Sequence, residues 1–426
     1  MGIWITNGKI AGSGPNQTIP KHVLIEDGKI AAWTDEWPDT AGHEVIDAAG
    51  LLIAPGFIDM HAHLREPGFE YKETIETGTM AAAKGGYTTI ACMPNTRPPA
   101  DTPEVLSLIL SKAQAAGYAR VLPYACITKQ QKGQELTDFA ALKQAGAIGF
   151  TDDGVGVQSA RVMKDAMVLA ASLDMPIVAH CEDETLVQGA AVTEGSFARR
   201  HGLKGIPNES EAIHVARDAL LAEATGVHYH VCHVSTEQSV RLIRQAKALG
   251  VRITAEVCPH HLLLSDEDIP GPDADWKMNP PLRSPRDVQA VIEGLEDGTI
   301  DIIVTDHAPH SAEEKAKGLL EAPFGIVGFE TAFPLLYTKF VLTGRWTLKF
   351  LIDRMTAKPA EVFGLPYGTL EPGCPADITL IDLEKEKTVD PGDFLSKGKN
   401  TPFAGWKLKG WPVRTLLGGK TTWSEQ

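Results

Sequence analysis

Short runs that are almost wholly apolar alternate along the chain with longer stretches whose apolar positions recur every three or four residues. The first pattern reads as buried strand and the second as amphipathic helix. Candidate strands are 57–63, 87–93, 121–125, 147–151, 176–180, 228–233, 252–256 and 300–306. Helical periodicity fills the intervals at 74–84, 103–116, 160–173, 209–224 and 237–249. Eight such repeats over roughly 300 residues predict an α/β fold, the parallel TIM (β/α)8 barrel, whose chemistry gathers at the C-terminal ends of its strands. A doubly wound sheet would carry a Gly-rich phosphate loop after an early strand, and no such loop is present.

The two ends of the chain have a different texture. Ile3-Trp4-Ile5 precedes Asn7-Gly8, and Val23 to Glu26 precedes Asp27-Gly28 and Ile30 to Trp33. Asn-Gly and Asp-Gly between apolar runs predict hairpins. Similar runs return at 376–383 and 411–419. Neither end holds enough apolar surface to be stable alone, so residues 1–53 and 365–426 are expected to pair into one small β domain beside a barrel over 54–364.

Composition narrows the class. The chain has 426 residues, 43% hydrophobic and 22% charged, as expected of an ordinary globular enzyme. A formal net charge of -15 disfavours nucleic acid and anionic membrane as partners, since both need a basic face. It leaves room for an acidic small-molecule substrate held by local cations, and for a homo-oligomer. The six cysteines are scattered singly and read as buried thiols in a reducing compartment. The N-terminus lacks a basic region followed by a long apolar stretch, and no apolar run reaches membrane-spanning length, so a cytoplasmic location is expected.

The chemistry centres on Ala54-Pro-Gly-Phe-Ile-Asp-Met-His61-Ala-His63-Leu-Arg65-Glu-Pro-Gly68. Alternation along a strand puts Asp59, His61 and His63 on one side, and two imidazoles at a strand end suit a zinc-like cation. Arg65 places a fixed positive charge beside them, able to grip an anionic group in two-pronged fashion. Ligand-type residues also close other strands: Asp152-Asp153 after the fourth, His180 on the fifth, His233 on the sixth and Asp306 on the eighth. The same alternation groups His233 with Tyr229 and Val231 and turns His228 and His230 toward the outer helices. His260 and His261, near the mouth, are expected to be structural or supporting, and His22, His43, His201 and His214 lie away from strand ends.

Asp59-x-His61-x-His63-Leu64-Arg65-x-Pro67-Gly68 resembles the signature of the dihydroorotases, cyclic amidohydrolases within the metal-dependent amidohydrolase superfamily. The resemblance implies two zinc ions per chain, with cobalt or manganese as possible substitutes. His61, His63 and Asp306 would hold the first, His180 and His233 the second, and a carboxylate would bridge them. Many relatives bridge with a carboxylated lysine on the fourth strand. This chain reads Gly149-Phe-Thr-Asp152-Asp153-Gly154 there, which resembles instead the class I type with an aspartate bridge and selects Asp153, with Asp152 the competing candidate.

The same likeness gives Arg65 and Asn95 the substrate carboxylate, and makes His63, Leu64, Asn279 and His310 further substrate contacts. Phe324-Gly325 would meet the ring through its backbone. Arg283, between prolines, reads as structural. The implied reaction is the reversible cyclisation of N-carbamoyl-L-aspartate to L-dihydroorotate in de novo pyrimidine (UMP) biosynthesis. A hydroxide between the metals would attack the ring amide, with Asp306 as general base and then general acid. A hydantoinase, allantoinase or dihydropyrimidinase is the nearest rival, disfavoured by the missing lysine and by Arg65. An inactive scaffold should have lost ligands, and all six positions are filled. The polar segment 311–322 is a candidate lid.

Overall fold

The computed structural model describes residues 2–14 and 17–425. Five strands come first: β1 (Ile3–Ala11), β2 (Thr18–Glu26), β3 (Lys29–Thr34), β4 (Glu44–Asp47) and β5 (Leu52–Pro55). The middle of the chain supplies β6 (Phe57–Ala62), β7 (Tyr87–Cys92), β8 (Arg120–Pro123), β9 (Ile177–Ala179), the two-residue pair β10 (Val192–Thr193) and β11 (Gly205–Ile206), β12 (Tyr229–Val231), β13 (Ile253–Val257) and β14 (Ile302–Ile303). The C-terminal segment adds β15 (Ile378–Thr388), β16 (Lys407–Leu417) and β17 (Lys420–Ser424).

The two ends of the chain do share a sheet. Its order is β17-β16-β15-β5-β1-β2-β3, with β4 paired to β1, so the C-terminal hairpin lies against the last N-terminal strand. One turn differs from its sequence reading. Asp27-Gly28 joins β2 to β3 with both residues at positive φ, as a tight hairpin requires. Asn7-Gly8 makes a bulge instead: β1 continues through it, the β1–β2 register shifts between Ile5 and Gly8, and Asn7 adopts φ 61°. The Asn7 side chain donates to Asp47 Oδ1 at 2.8 Å, which holds the bulge against the end of β4.

Gly56 is the hinge between the sheet and the middle segment. A Cβ there would lie 2.2 Å from the Thr88 side chain, so only glycine lets the chain pass.

The middle strands pair in parallel, as β6-β7-β8 and as β9-β12-β13-β14. Single-residue bridges connect the two sets. Phe150 pairs with Ala125 on one side and Ile177 on the other, and His307 pairs with Ala62. Each of eight segments therefore has a parallel neighbour on both sides, and the pairings return to their start. The fourth segment contributes only Phe150 to this ladder.

Two apolar layers result. Tyr87, Ile90, Ile177, Tyr229, Val231 and Val257 pack outward against helices such as Pro103–Ala116, Ala160–Ser172 and Glu209–Thr225. Ile58, Met60, Ala91, Tyr124, Val178, Cys232, Cys258 and Ile302 form a separate inner cluster drawn from nearly every segment.

The facing of β12 is the reverse of that expected from alternation. Tyr229 and Val231 belong to the outer layer, and Tyr229 Oη donates to Asp218 on a helix at 2.9 Å. His228 and His230 point inward, each with a ring nitrogen 2.8 Å from Thr254 Oγ1, and His230 also reaches Glu256. His233 shares the parity of the outward residues yet faces inward. The strand ends at Val231, and at His233 the backbone enters φ 30°, which turns the ring toward the centre.

His228 is nearly buried and gains no carboxylate partner, so burial lowers its pKa to about 3. A histidine whose folded pKa lies below its unfolded value of about 6.5 contributes stability that is present above that value and lost as pH falls toward 3. Acidification from pH 7 to pH 5 is therefore expected to lower the urea midpoint of the wild-type chain more than that of His228→Gln, which takes up no proton. Equal slopes for the two would contradict this.

Candidate functional site

Ligand-type residues from five strand ends meet at a cavity of about 160 Å³. Its wall includes His63, Arg65, Asn95, Asp153, His180 and His233, and across from them Asn279, Asp306, Phe324 and Gly325. His61 lies just behind this wall, fully buried, with Nε2 3.5 Å from Asp153 Oδ1 and 3.4 Å from Asp306 Oδ1. His63 Nε2 is 3.1 Å from Asp306 Oδ1 and 3.5 Å from Asp153 Oδ2. His180 Nδ1 lies 3.0 Å from His233 Nε2 and 3.8 Å from Asp153 Oδ1. Asp153 thus stands among four imidazoles.

Each ring is fixed from its far side. His61 Nδ1 is 2.6 Å from Glu256 Oε1, and His63 Nδ1 is 3.0 Å from Asn95 Oδ1. Both partners accept, so both rings donate from Nδ1, and the Nε2 facing the carboxylates either carries a second proton or turns its lone pair to a cation. A lone pair facing a carboxylate oxygen at 3.1–3.5 Å is repulsive unless a positive charge lies between them.

The protonation tendencies reflect the same demand. Burial would lower His61, but Glu256, Asp153 and Asp306 outweigh it and push its pKa well above the ordinary value. Burial would raise Asp153, but His61, His63 and His180 hold it far below the carboxylate range. His233 is driven well down by burial and by its neighbours His180 and His61.

These donors fit metal cations. His61 with His233 and Asp306, and Asp153 with His180 and His233, each bring three ligand atoms within 4.8 Å of one another. Tetrahedral zinc with nitrogen donors at about 2.0–2.1 Å needs neighbouring ligand atoms about 3.3 Å apart, close to the separations here. His61 Nε2 and Asp153 Oδ1 are buried and make no hydrogen bond, as ligand atoms reserved for a cation would be. The grouping differs from that expected in two respects: His233 belongs to both triads, and His63, expected beside His61 and Asp306, belongs to neither. Cys232, expected to be a plain buried thiol, forms a further group with His61 and Asp153.

Several expected residues sit elsewhere. Asp59 stays out of the cavity and accepts from Thr305 N at 3.2 Å, Thr305 Oγ1 at 2.5 Å and His61 N at 3.1 Å, and burial raises its pKa to about 7. The β6–β7 register shifts after Asp59, so strict alternation from Asp59 to His63 does not hold. The Leu64 side chain packs into the outer layer and does not line the cavity. Asp152 turns away to accept from Thr128 N and Oγ1, and burial raises it to about 6. His310 stands behind the wall with Nε2 2.7 Å from Phe324 O and Nδ1 3.3 Å from Lys72 Nζ. Burial, Arg65 and Lys72 hold it neutral, far below its ordinary pKa. Arg65 Nε donates to Pro309 O at 3.1 Å, which aims the guanidinium along the cavity, and its Nη2 lies 3.2 Å from His310 Nε2, whose own proton is given to Phe324 O.

Gly325, at φ 137°, is required by space as well as conformation, because a Cβ would lie 2.7 Å from Ala308 Cβ. Arg283 is structural, donating to Ser235, Thr193 and Ile206. Segment 311–322 holds two short helices anchored by buried Lys315, whose Nζ donates to Ala274 O and Pro323 O. Glu256 was not among the expected residues, and alternation within Arg252-Ile-Thr254-Ala-Glu256 is the signal that marks it as inward.

Known proteins resemble this chain over its full length. The profile of the family described as Dihydro-orotase-like matches residues 50–239. The chain is 62% identical over 425 residues to the dihydroorotase of Bacillus caldolyticus, covering 100% of this chain and 99% of that protein. It is also 62% identical over 426 residues to the dihydroorotase of Geobacillus kaustophilus (strain HTA426), with 100% and 99% covered. Among solved structures, L-hydantoinase (dihydropyrimidinase) from Arthrobacter aurescens superposes with a TM-score of 0.87 at 29% identity, covering 98% of this chain and 95% of that one. D-hydantoinase from Thermus sp. gives 0.83 at 28% identity, covering 98% and 94%.

The contrast between the adjacent acids is directly measurable. Asp153→Ala is expected to lower bound divalent metal per chain by about half or more, and Asp152→Asn to leave it at the wild-type level, read by plasma mass spectrometry. The opposite pattern would transfer the site to Asp152.

Proposed function

Because this chain belongs to the dihydroorotase family, we propose that it interconverts N-carbamoyl-L-aspartate and L-dihydroorotate in pyrimidine (UMP) biosynthesis. The observation that carries the proposal is the convergence of His61, His63, Asp153, His180, His233 and Asp306 from five strand ends beside Arg65. On this reading the ring of parallel strands is a (β/α)8 barrel over residues 54–364, and 1–53 with 365–426 make the small β domain. The enzyme is of the class I type with an aspartate bridge and works in the cytoplasm.

Two zinc ions are the proposed cofactor, with cobalt or manganese able to occupy the same donors. His61, His63 and Asp306 would hold one, His180 and His233 the other, and Asp153 would lie between them. Bound there, such cations make water nucleophilic at neutral pH, lowering its pKa from about 16 to about 7, and polarise an amide carbonyl.

The chain's own groups do the rest. Arg65, aimed by Pro309 O, offers its guanidinium to the substrate carboxylate, and Asn95, whose Oδ1 is taken by His63, adds a directional donor through Nδ2. Asn279, with Nδ2 3.3 Å from His180 Nε2, lies where the ring would enter, and Phe324-Gly325 closes the opposite wall. Asp306 is the proton carrier: it takes the proton of the attacking water and delivers it to the departing ring nitrogen, and runs in reverse for ring closure. His61, Asp153, His180, His233 and Asp306 are themselves buried, which strengthens the charge contacts among them.

Purified protein is expected to hydrolyse dihydroorotate at a rate that follows its zinc content; absence of that activity in zinc-loaded protein would refute the proposal. Asp306→Asn should lose about a thousandfold or more in kcat, within the span of general acid–base catalysis, and retention of most turnover would remove Asp306 from proton transfer. Arg65→Met should raise KM for dihydroorotate about 10- to 100-fold, matching about 1.5–3 kcal/mol for a hydrogen bond to a charged group. An unchanged KM would discredit the carboxylate clamp.

A further inference from the structure

A column of buried polar side chains runs from the metal-type site into the ring interior, and none of it takes part in the proton transfer or substrate binding described above. Glu256 is fully buried, with Oε1 2.6 Å from His61 Nδ1 and Oε2 3.0 Å from His230 Nε2. His230 Nδ1 lies 2.8 Å from Thr254 Oγ1, and the same hydroxyl lies 2.8 Å from His228 Nε2. Glu256 Oε1 also accepts from His233 N at 3.3 Å.

Donor and acceptor counting gives this column a single direction. An ionised carboxylate only accepts, so both histidines must donate to Glu256: His61 through Nδ1 and His230 through Nε2. With Nε2 donating to Glu256, His230 accepts at Nδ1, so the Thr254 hydroxyl donates to it. That hydroxyl in turn accepts from His228 Nε2. The polarity His228 to Thr254 to His230 to Glu256 is therefore self-consistent, and on its other side Glu256 accepts from the nitrogen of His61 opposite the one that faces Asp153 and Asp306.

We propose that Glu256, held in place by His230, is a positioning residue that fixes the tautomer and ring plane of His61 and anchors the backbone of His233, and so sets the affinity of the site for its cations. It acts on two ligands that arrive from different strands. A ring free to carry its proton on Nε2 would close that nitrogen to a cation, and outer partners of metal-bound histidines are worth about 10- to 100-fold in affinity. The inference rests on reading His61 as a metal ligand.

The test measures zinc affinity by competition with a chromophoric chelator on the intact chain, together with the thermal midpoint of the metal-free protein. Glu256→Leu, which removes the acceptor, is expected to weaken zinc binding about 10- to 100-fold. Glu256→Gln, which keeps a neutral acceptor, should fall between it and wild type, with a deficit of at least about threefold. A purely packing role would shift the thermal midpoint and leave the affinity alone. Zinc affinity of Glu256→Gln within twofold of wild type overturns the proposal, and Glu256→Gln decides the question if the leucine variant fails to fold. His61→Ala is the control for the underlying reading. If wild-type protein holds no zinc, or His61→Ala holds as much, the metal site itself fails; if zinc depends on His61 but not on Glu256, only this inference falls.

Discussion

A nearly buried carboxylate held among four imidazoles is the constraint from which the rest of the structure follows. Asp153 is 3% exposed and His61 is wholly buried, with Asp306 and Glu256 adding two more acids around the same ring. Removing such groups from water costs several kcal/mol per ion, and like charges this close add to that cost. Only a concentrated positive charge at the centre can offset it. The arrangement is intelligible as a receptacle for cations, and inexpensive as nothing else.

Convergence of this kind cannot be made by regular strands alone. Side chains on ideal strands alternate between the inside and the outside of the ring, so at most every second residue is available to the centre. Three residues at this site leave that regime: Arg65 at φ 62°, His233 at φ 30° and Asp306 at φ 48°. Each costs on the order of 1–3 kcal/mol in a non-glycine residue, and each turns a functional group toward the cavity just past the end of a ladder. The packed layers on either side of the strands, inner and outer, hold the backbone in these conformations. Function is thus bought with strain stored where the strands stop.

Much of this was legible in the sequence, for identifiable reasons. Near-continuous apolar runs separated by helical periodicity located the parallel strands, because a strand covered on both faces has no polar side to interrupt it. Glycine and proline after His63 marked where the first of them ends. What failed was extrapolation of alternation through irregular backbone. At β12 it assigned His228 and His230 to the outside, because it assumed that the parity of His233 extended back along an unbroken strand. At Asp59 a register shift broke the same assumption, and Leu64 followed its apolar character into the outer layer. Asn7-Gly8 carries a hairpin's residues in a bulge, a distinction set by strand pairing and not by the dipeptide. Glu256 was passed over because an acid on a strand looks like a solvated edge until its two histidine partners, 195 and 26 residues away, are brought to it.

Whether two cations share one carboxylate at the meeting point of the strand ends is decided by anomalous X-ray diffraction at the zinc absorption edge, from crystals of the zinc-loaded chain. Two peaks are expected about 3.5–4 Å apart, the usual spacing of a two-metal site, one beside His61, His63 and Asp306 and the other beside His180 and His233, with Asp153 between them. A single peak, or peaks remote from Asp153, would contradict that sharing.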